Sequence, residues 1–286
     1  MTAAVATGVR TELLDCIQAN LAVLADRWGE PERHLALGAT LRFQPRPGPD
    51  GLPTVDPPVR QHLAELTGHV GLVARHEHRH LDPTGQRALA ERAAVVYAVG
   101  DSYHMPWLPY AGHSHMEHSY LVALHGEEAL IGDAYDNETA WGAARPGDWT
   151  LPWARLPMAD LAVVYTITDD YRPPSPSVRL DDPAAYLEAY ARCGDPVAAA
   201  RRLTAETWLM SRARKLHAAY RLHRGESLDA EAHLRRWDQL TATAFIALRR
   251  VERGRPAPGT LLTDLAAALT ADRDVFATRP DQLEKP

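Results

Sequence analysis

The run Arg172 to Pro183, RPPSPSVRLDDP, divides this chain into two stretches with different apolar periods. Proline fixes φ and removes a backbone donor, so a polar segment this rich in proline reads as a boundary rather than an element. Before it, alternating segments mix with helical ones; beyond it, the apolar stripes have helical spacing. The sequence therefore predicts an α+β domain over residues 1–172, a linker over 173–183 and an α-helical bundle over 184–286.

In the first stretch, Leu14, Ile17, Leu21, Leu24 and Trp28 recur at spacings of three and four, one buried face of a helix that ends at Gly29. Asp15, with Gln18 three residues on, forms a capping box and places Cys16 at the first helical position. A strand is predicted over Leu35 to Phe43, then a proline-rich loop from Pro45 to Pro58 and a short helix ending near Gly68. Val70 to Arg75 reads as a strand, and Asp82 with Pro83 opens a helix through Arg92 that feeds a strand at Ala94 to Val99. His118 to Leu124 and Ala129 to Ala134 flank a turn and read as a β-hairpin, with Leu161 to Thr168 as the last strand. The expected architecture is an N-terminal helix packed on a mostly antiparallel sheet. In the second stretch, Leu209, Ala213, Leu216 and Tyr220 form one helical stripe, and Leu234, Trp237, Ala244, Leu248 and Val251 form another.

Composition narrows the function. The net charge of −6 over 286 residues lacks the basic balance that binding nucleic-acid phosphates calls for. The longest apolar stretch, Ala93 to Val99, is far short of the ~20 residues of a membrane helix. The N-terminus has no basic flank followed by an apolar signal core. A cytoplasmic protein that binds neither nucleic acid nor membrane is expected. Its two cysteines, Cys16 and Cys193, are too few and too far apart for a disulfide scaffold, and Cys193 reads as structural.

Cys16 is the residue with chemical promise. A thiol reacts as its thiolate, and the unpaired N–H groups at a helix N-terminus favour negative charge there. Such a nucleophile needs an imidazole to take its proton and a carboxylate or amide to orient the ring. His118 opens one hairpin strand and Asp133 closes the other, so antiparallel pairing puts both near the same end.

The stretches DCIQANLAVLADRWG, Asp15 to Gly29, and DSYHMPWLPYAGHSHMEHSYLVALHGEEALIGDAYDN, Asp101 to Asn137, resemble a known family. It is the papain-like cysteine family named for the N-terminal domain of the butirosin-biosynthesis acyltransferase BtrH, and the likeness covers most of residues 11–170. The helical tail is similar to the region that often follows that domain. The family pattern is a Cys opening a helix with a Gly beyond its end, an Asp-x-Tyr-x-x-Pro loop, a His-x-x-His pair opening a strand, and an Asp closing the hairpin. Here these fall on Cys16, Gly29, Asp101, Tyr103, Pro106, His115, His118 and Asp133. The resemblance implies a papain-like fold, with Cys16 as nucleophile, His118 as general base and Asp133 as its orienter. It further implies acyl transfer in specialised-metabolite (natural product) biosynthesis, without a cofactor. The donor would be an acyl or peptidyl carrier protein or another acyl thioester, and the acceptor an amine, hydroxyl or internal nucleophile of a small molecule. With water as acceptor the same triad is a thioesterase; with an internal nucleophile it is a cyclase.

Two departures from the peptide-cleaving relatives favour a transferase over a peptidase. No glutamine occurs between Gly8 and Leu14, where those relatives carry an oxyanion-hole glutamine, and Asp133 is followed by Ala134 rather than proline. Oxyanion or substrate contacts then fall to the backbone N–H of Cys16 and to Gln18, Asp101, Tyr103 and His115.

Other readings compete. His113, His115 and His118 have an HxHxxH spacing that suits zinc or iron, which would make the chain a metalloenzyme. His76, His78 and His80 alternate and would share one strand face, with Arg75 and Arg79 on the other, as a solvated edge. The pairs Arg201–Arg202, Arg235–Arg236 and Arg249–Arg250 read as solvated helix faces or a dock for an acidic carrier protein. A catalytically inert domain that binds a partner through its tail is a third reading. Amphipathic helical tails also favour a homodimer.

Overall fold

A computed structural model describes residues 8–277. The reading of the extreme N-terminus as free of a signal core rests partly on residues 1–7, and the expected helical domain runs to 286; residues 1–7 and 278–286 lie outside the described residues. The chain is of mixed α+β type with a mostly antiparallel sheet, and it forms two compact units.

The first unit holds residues 8–37 and 59–174. Its elements are α1 (Gln18–Trp28), α2 (Val59–Val70), β1 (Leu72–Leu81), α3 (Pro83–Ala90), β2 (Val96–Asp101), β3 (Glu117–His125), β4 (Glu128–Asp133), β5 (Gly147–Pro152) and β6 (Ala159–Ile167). The strands form one sheet in the order β5-β4-β3-β2-β6-β1, with every neighbouring pair antiparallel. Helix α1 lies against β3, β4 and β6, burying Leu21, Leu24 and Ala25. Tyr97 of β2 anchors its first turn by donating from its hydroxyl to the Ile17 carbonyl at 2.8 Å. On α3, Asp82 caps the helix by accepting from the Gly85 N–H, and Pro83 occupies the first turn, as its sequence demands.

The hairpin β3–β4 closes on the pair His125 and Glu128. Gly126 takes φ +59°, a conformation that a tight two-residue turn needs and side chains resist. Strand β1 runs six residues beyond the expected end at Arg75 and carries His76, His78 and His80 along the exposed sheet edge. Strand β5 and the small hairpin Asn137–Thr139/Gly142–Ala144 were not expected.

The strand expected over Leu35 to Phe43 is a 3₁₀ turn, Arg33–Gly38, followed by a shorter strand, Thr40–Phe43. Residues 34–37 are all buried, which a one-sided alternating strand does not do. His34 is held there by Asp26, which bonds both its backbone N–H and its Nδ1.

The second unit holds residues 38–58 and 175–277, so the division is not the contiguous one that the proline-rich run suggests. Within that run Ser177–Leu180 is a strand, paired in parallel with Thr40–Phe43. A buried carboxylate secures the early segment further. Glu206 accepts from Thr54 Oγ1 at 2.6 Å and from the Val55 N–H at 2.7 Å, and burial pushes its carboxyl above the usual range despite these bonds. The rest of the unit is helical: α4 (Ala184–Ala191), α5 (Pro196–His223), α6 (Glu231–Val251) and α7 (Leu261–Phe276). Trp237, Leu240, Ala244 and Ala247 of α6 pack with Leu265, Ala268 and Leu269 of α7 in its core. Among the described residues, no helix is long and apolar enough to cross a membrane.

Candidate active site

The capping box fixes the backbone around Cys16. Asp15 Oδ1 accepts from the N–H groups of Ile17 and Gln18, each at 2.8 Å, and Gln18 Oε1 accepts from the Asp15 N–H at 3.1 Å. The capping box forms as its sequence predicts, but α1 starts at Gln18, so Cys16 stands in the turn two residues ahead of the helix rather than at its first position.

Strand β3 meets Cys16 on both sides of His118. The Cys16 thiol lies 3.4 Å from the carbonyl oxygen of Glu117, and Ser119 Oγ donates to the Cys16 carbonyl at 2.5 Å. His118 itself is fully buried, with Nε2 2.7 Å from Asp133 Oδ2. The hairpin accounts for this approach: Asp133 comes one step beyond the Leu121–Gly132 pair, at the end where β3 starts.

Four donors converge on Asp133. Asn20 Nδ2 and the Tyr135 N–H reach Oδ1 at 3.3 and 3.0 Å, while Trp107 Nε1 joins His118 on Oδ2 at 3.0 Å. An acceptor on that side requires the His118 proton to sit on Nε2. In the neutral ring, Nδ1 then carries the lone pair, and this buried atom has no hydrogen-bond partner among the described residues.

Asn20 and Trp107 escaped the sequence reading. Asn20 follows Cys16 by four residues, one helical turn, and is completely buried. Its Nδ2 donates to Ser119 O at 2.9 Å as well as to Asp133, and its Oδ1 accepts from the Ala134 N–H at 3.1 Å. It ties the cysteine helix to both hairpin strands. The signal was a lone amide inside the apolar run ANLAVLA, where an unpaired polar group is costly. Trp107 lies in an irregular loop with no period to mark it.

The expected accessory residues divide into two sets. Gln18 is at the cysteine, its carbonyl oxygen used by the capping box and its NH₂ group making no hydrogen bond among the described residues. Asp101, Tyr103 and His115 form a cluster of their own. Asp101 Oδ2 is 2.5 Å from His115 Nδ1, and the His115 ring stacks on Tyr103 at 4.3 Å. Burial opposes the charge on Asp101, but hydrogen bonds from His115 and the N–H groups of Tyr103 and Met116 outweigh it, holding the carboxyl below its usual range. The cluster adjoins the dyad, because Asp101 pairs with Glu117 across β2 and β3.

The three imidazoles of the HxHxxH run do not converge. His113 stacks on Trp141, His115 bonds Asp101, and His118 bonds Asp133. Among the described residues no group of three or more His, Cys, Asp or Glu side chains is arranged to hold a metal ion. Cys193 belongs to the second unit, with its thiol on the Asp195 carbonyl. Compared with known proteins, the chain matches no family model and no curated protein.

Proposed function

We propose that this chain is a papain-like cysteine acyltransferase that passes an acyl group from a thioester to an amine, hydroxyl or internal nucleophile through an acyl-Cys16 intermediate. The observation that carries the reading is the placement of Cys16 against the residues on either side of His118, whose far nitrogen is held by Asp133.

In this mechanism the Cys16 thiol turns from the Glu117 carbonyl, where it lies in the structure, to His118 Nδ1, which takes its proton, and the thiolate attacks the thioester carbonyl. Collapse of the tetrahedral intermediate breaks the donor carbon–sulfur bond, and the departing thiolate takes the proton back from His118. The acceptor then attacks the acyl-enzyme, giving its proton to His118, and Cys16 leaves as thiolate. The NH₂ group of Gln18 is the side-chain donor assigned to the oxyanion. Asn20, Trp107 and the Tyr135 N–H hold Asp133 so that the ring has one orientation. The thioester donor, carried by an acyl or peptidyl carrier protein, follows from the likeness of the residue pattern to the BtrH-type domain and from the lack of a glutamine before Cys16.

Consumption of a panel of acyl N-acetylcysteamine thioesters, with and without added amines, tests this reading. Consumption with acylated amine among the products supports transfer, and hydrolysis alone reassigns the chain as a thioesterase. No consumption of any thioester overturns the proposal.

A further inference from the structure

The first unit carries a second site at the opposite end of α1. A cavity of about 990 Å³ is lined there by Arg27, Trp28, Arg75, His76, His78 and Arg92, over an apolar floor that includes Val95 and Ile167. Helix α1, roughly 16 Å long at 1.5 Å per residue, separates it from Cys16.

The charge in this cavity is one-sided. Three guanidiniums and two imidazoles line it with no aspartate or glutamate, and among the described residues none of Arg27, Arg75 and Arg92 is in an ion pair. Of the other arginines in the unit, Arg10, Arg60, Arg87 and Arg145 each meet a carboxylate, whereas Arg33, Arg79, Arg155 and Arg172 meet none among the described residues; the cavity differs in gathering three arginines at one place. Like charges gathered without a counter-ion repel one another, and an anion bound among them removes that repulsion.

A local distortion of β1 builds the cluster. Ala74 pairs with Tyr165 and His76 with Val164, so Arg75 is the extra residue of a β-bulge. Simple alternation would put Arg75 on the face opposite His76 and His78, as the sequence suggests. The bulge re-aims it, and all three line the same cavity. Arg75 Nε donates to Thr166 Oγ1 at 2.8 Å, which fixes the side chain while leaving its terminal nitrogens to a ligand.

We propose that this cavity binds a small organic phosphate or diphosphate, its anionic group among Arg27, Arg75 and Arg92 and its ring or chain against Trp28 and the apolar floor. Guanidinium forks match phosphate oxygens in pairs, and a dianion engages more than one fork where a single carboxylate satisfies only one. A cavity of this volume suits a small molecule. The inference rests on this cavity alone and does not depend on the reaction at Cys16.

Titration calorimetry of the full chain with inorganic pyrophosphate, ADP and adenosine tests it. Pyrophosphate and ADP are expected to bind and adenosine not to. The double variant Arg75→Gln/Arg92→Gln, altered only at exposed side chains, is expected to weaken ADP binding at least about tenfold with an unchanged circular-dichroism spectrum. No binding of pyrophosphate or ADP at millimolar concentration overturns the proposal, as does ADP affinity unchanged by the double variant.

Discussion

Ser119 Oγ donates to the backbone carbonyl of Cys16 at 2.5 Å, which pins the nucleophile candidate to the residue that follows the imidazole candidate. With the Cys16 thiol on the Glu117 carbonyl, the cysteine cannot shift along β3 without breaking one contact or the other. Asn20 adds a third tie by bonding both Ser119 and Asp133.

Thiol reactivity reports on this arrangement. Cys16 and Cys193 are both half-buried, so accessibility does not separate them. Cys16 is expected to react with iodoacetamide about tenfold faster than Cys193 under native conditions, and His118→Ala is expected to remove most of that advantage. Peptide mapping after timed alkylation reads both rates; equal rates in the wild type contradict the proposed base.

Truncating Asn20 leaves two buried backbone groups, one on β3 and one just past the end of β4, without their partner. Asn20→Ala is expected to cost about 2 kcal/mol in urea unfolding, because the Ala134 N–H and the Ser119 carbonyl lose hydrogen bonds away from water. Thioester consumption should also slow, since Asp133 loses a donor that orients it. A variant of unchanged stability and rate would show that the tie is dispensable.

His217 makes the second unit sensitive to acid. Burial is the main cause, assisted by Arg221 and Arg214 and opposed by the bond to the Gly38 carbonyl, and together they bring its pKa down to about 4. Above pH 6.5 the ring is neutral in both folded and unfolded chains, and its stability contribution is intact. As pH falls from 6.5 toward 4, the unfolded chain takes the proton first, and about 3 kcal/mol is lost. His217→Asn cannot titrate, so its stability relative to wild type should rise across that window in denaturant melts at pH 7 and pH 4.5. A constant difference would contradict the assignment.

The core of the helical unit contains an ion pair, Arg214 with Asp272, that also bonds His233 and Trp237. Burial disfavours the charge on Asp272, yet Arg214 and His233 overcome it and hold its carboxyl below the usual range. Asp272→Ala strands a fully buried guanidinium and is expected to cost about 3–5 kcal/mol. The double variant Arg214→Met/Asp272→Leu should lose much less. Equal losses in thermal or denaturant melts would mean that the stranded charge is not the cause.

Local chemistry was legible in the sequence. The capping box at Asp15 and Gln18, the Asp82–Pro83 helix start and the turn at Gly126 are set by neighbours within a few residues, and each stands where its residue types require. The juxtaposition of His118 and Asp133 followed from hairpin arithmetic. Contacts between distant segments left no such mark. Thr40–Phe43 pairs with Ser177–Leu180 across more than a hundred residues, so neither the true second unit nor the strand inside the proline-rich run carried a period to reveal it. Strand β1 is exposed nearly throughout and polar along most of its length, which erased the alternation that would have extended it past Arg75 and hid the bulge that turns Arg75. Asn20 and Trp107 act on Asp133 through tertiary packing, which spacing alone does not encode.

The central claim is that Cys16 carries the acyl group. Intact-protein mass spectrometry after brief incubation with acyl N-acetylcysteamine thioesters, run on wild type and Cys16→Ala, measures this directly. The account predicts a mass increase of one acyl group that maps to Cys16 and is absent from the variant. An adduct that persists in Cys16→Ala, or the absence of any adduct in a wild type that consumes the thioester even when the reaction is quenched early, would contradict it.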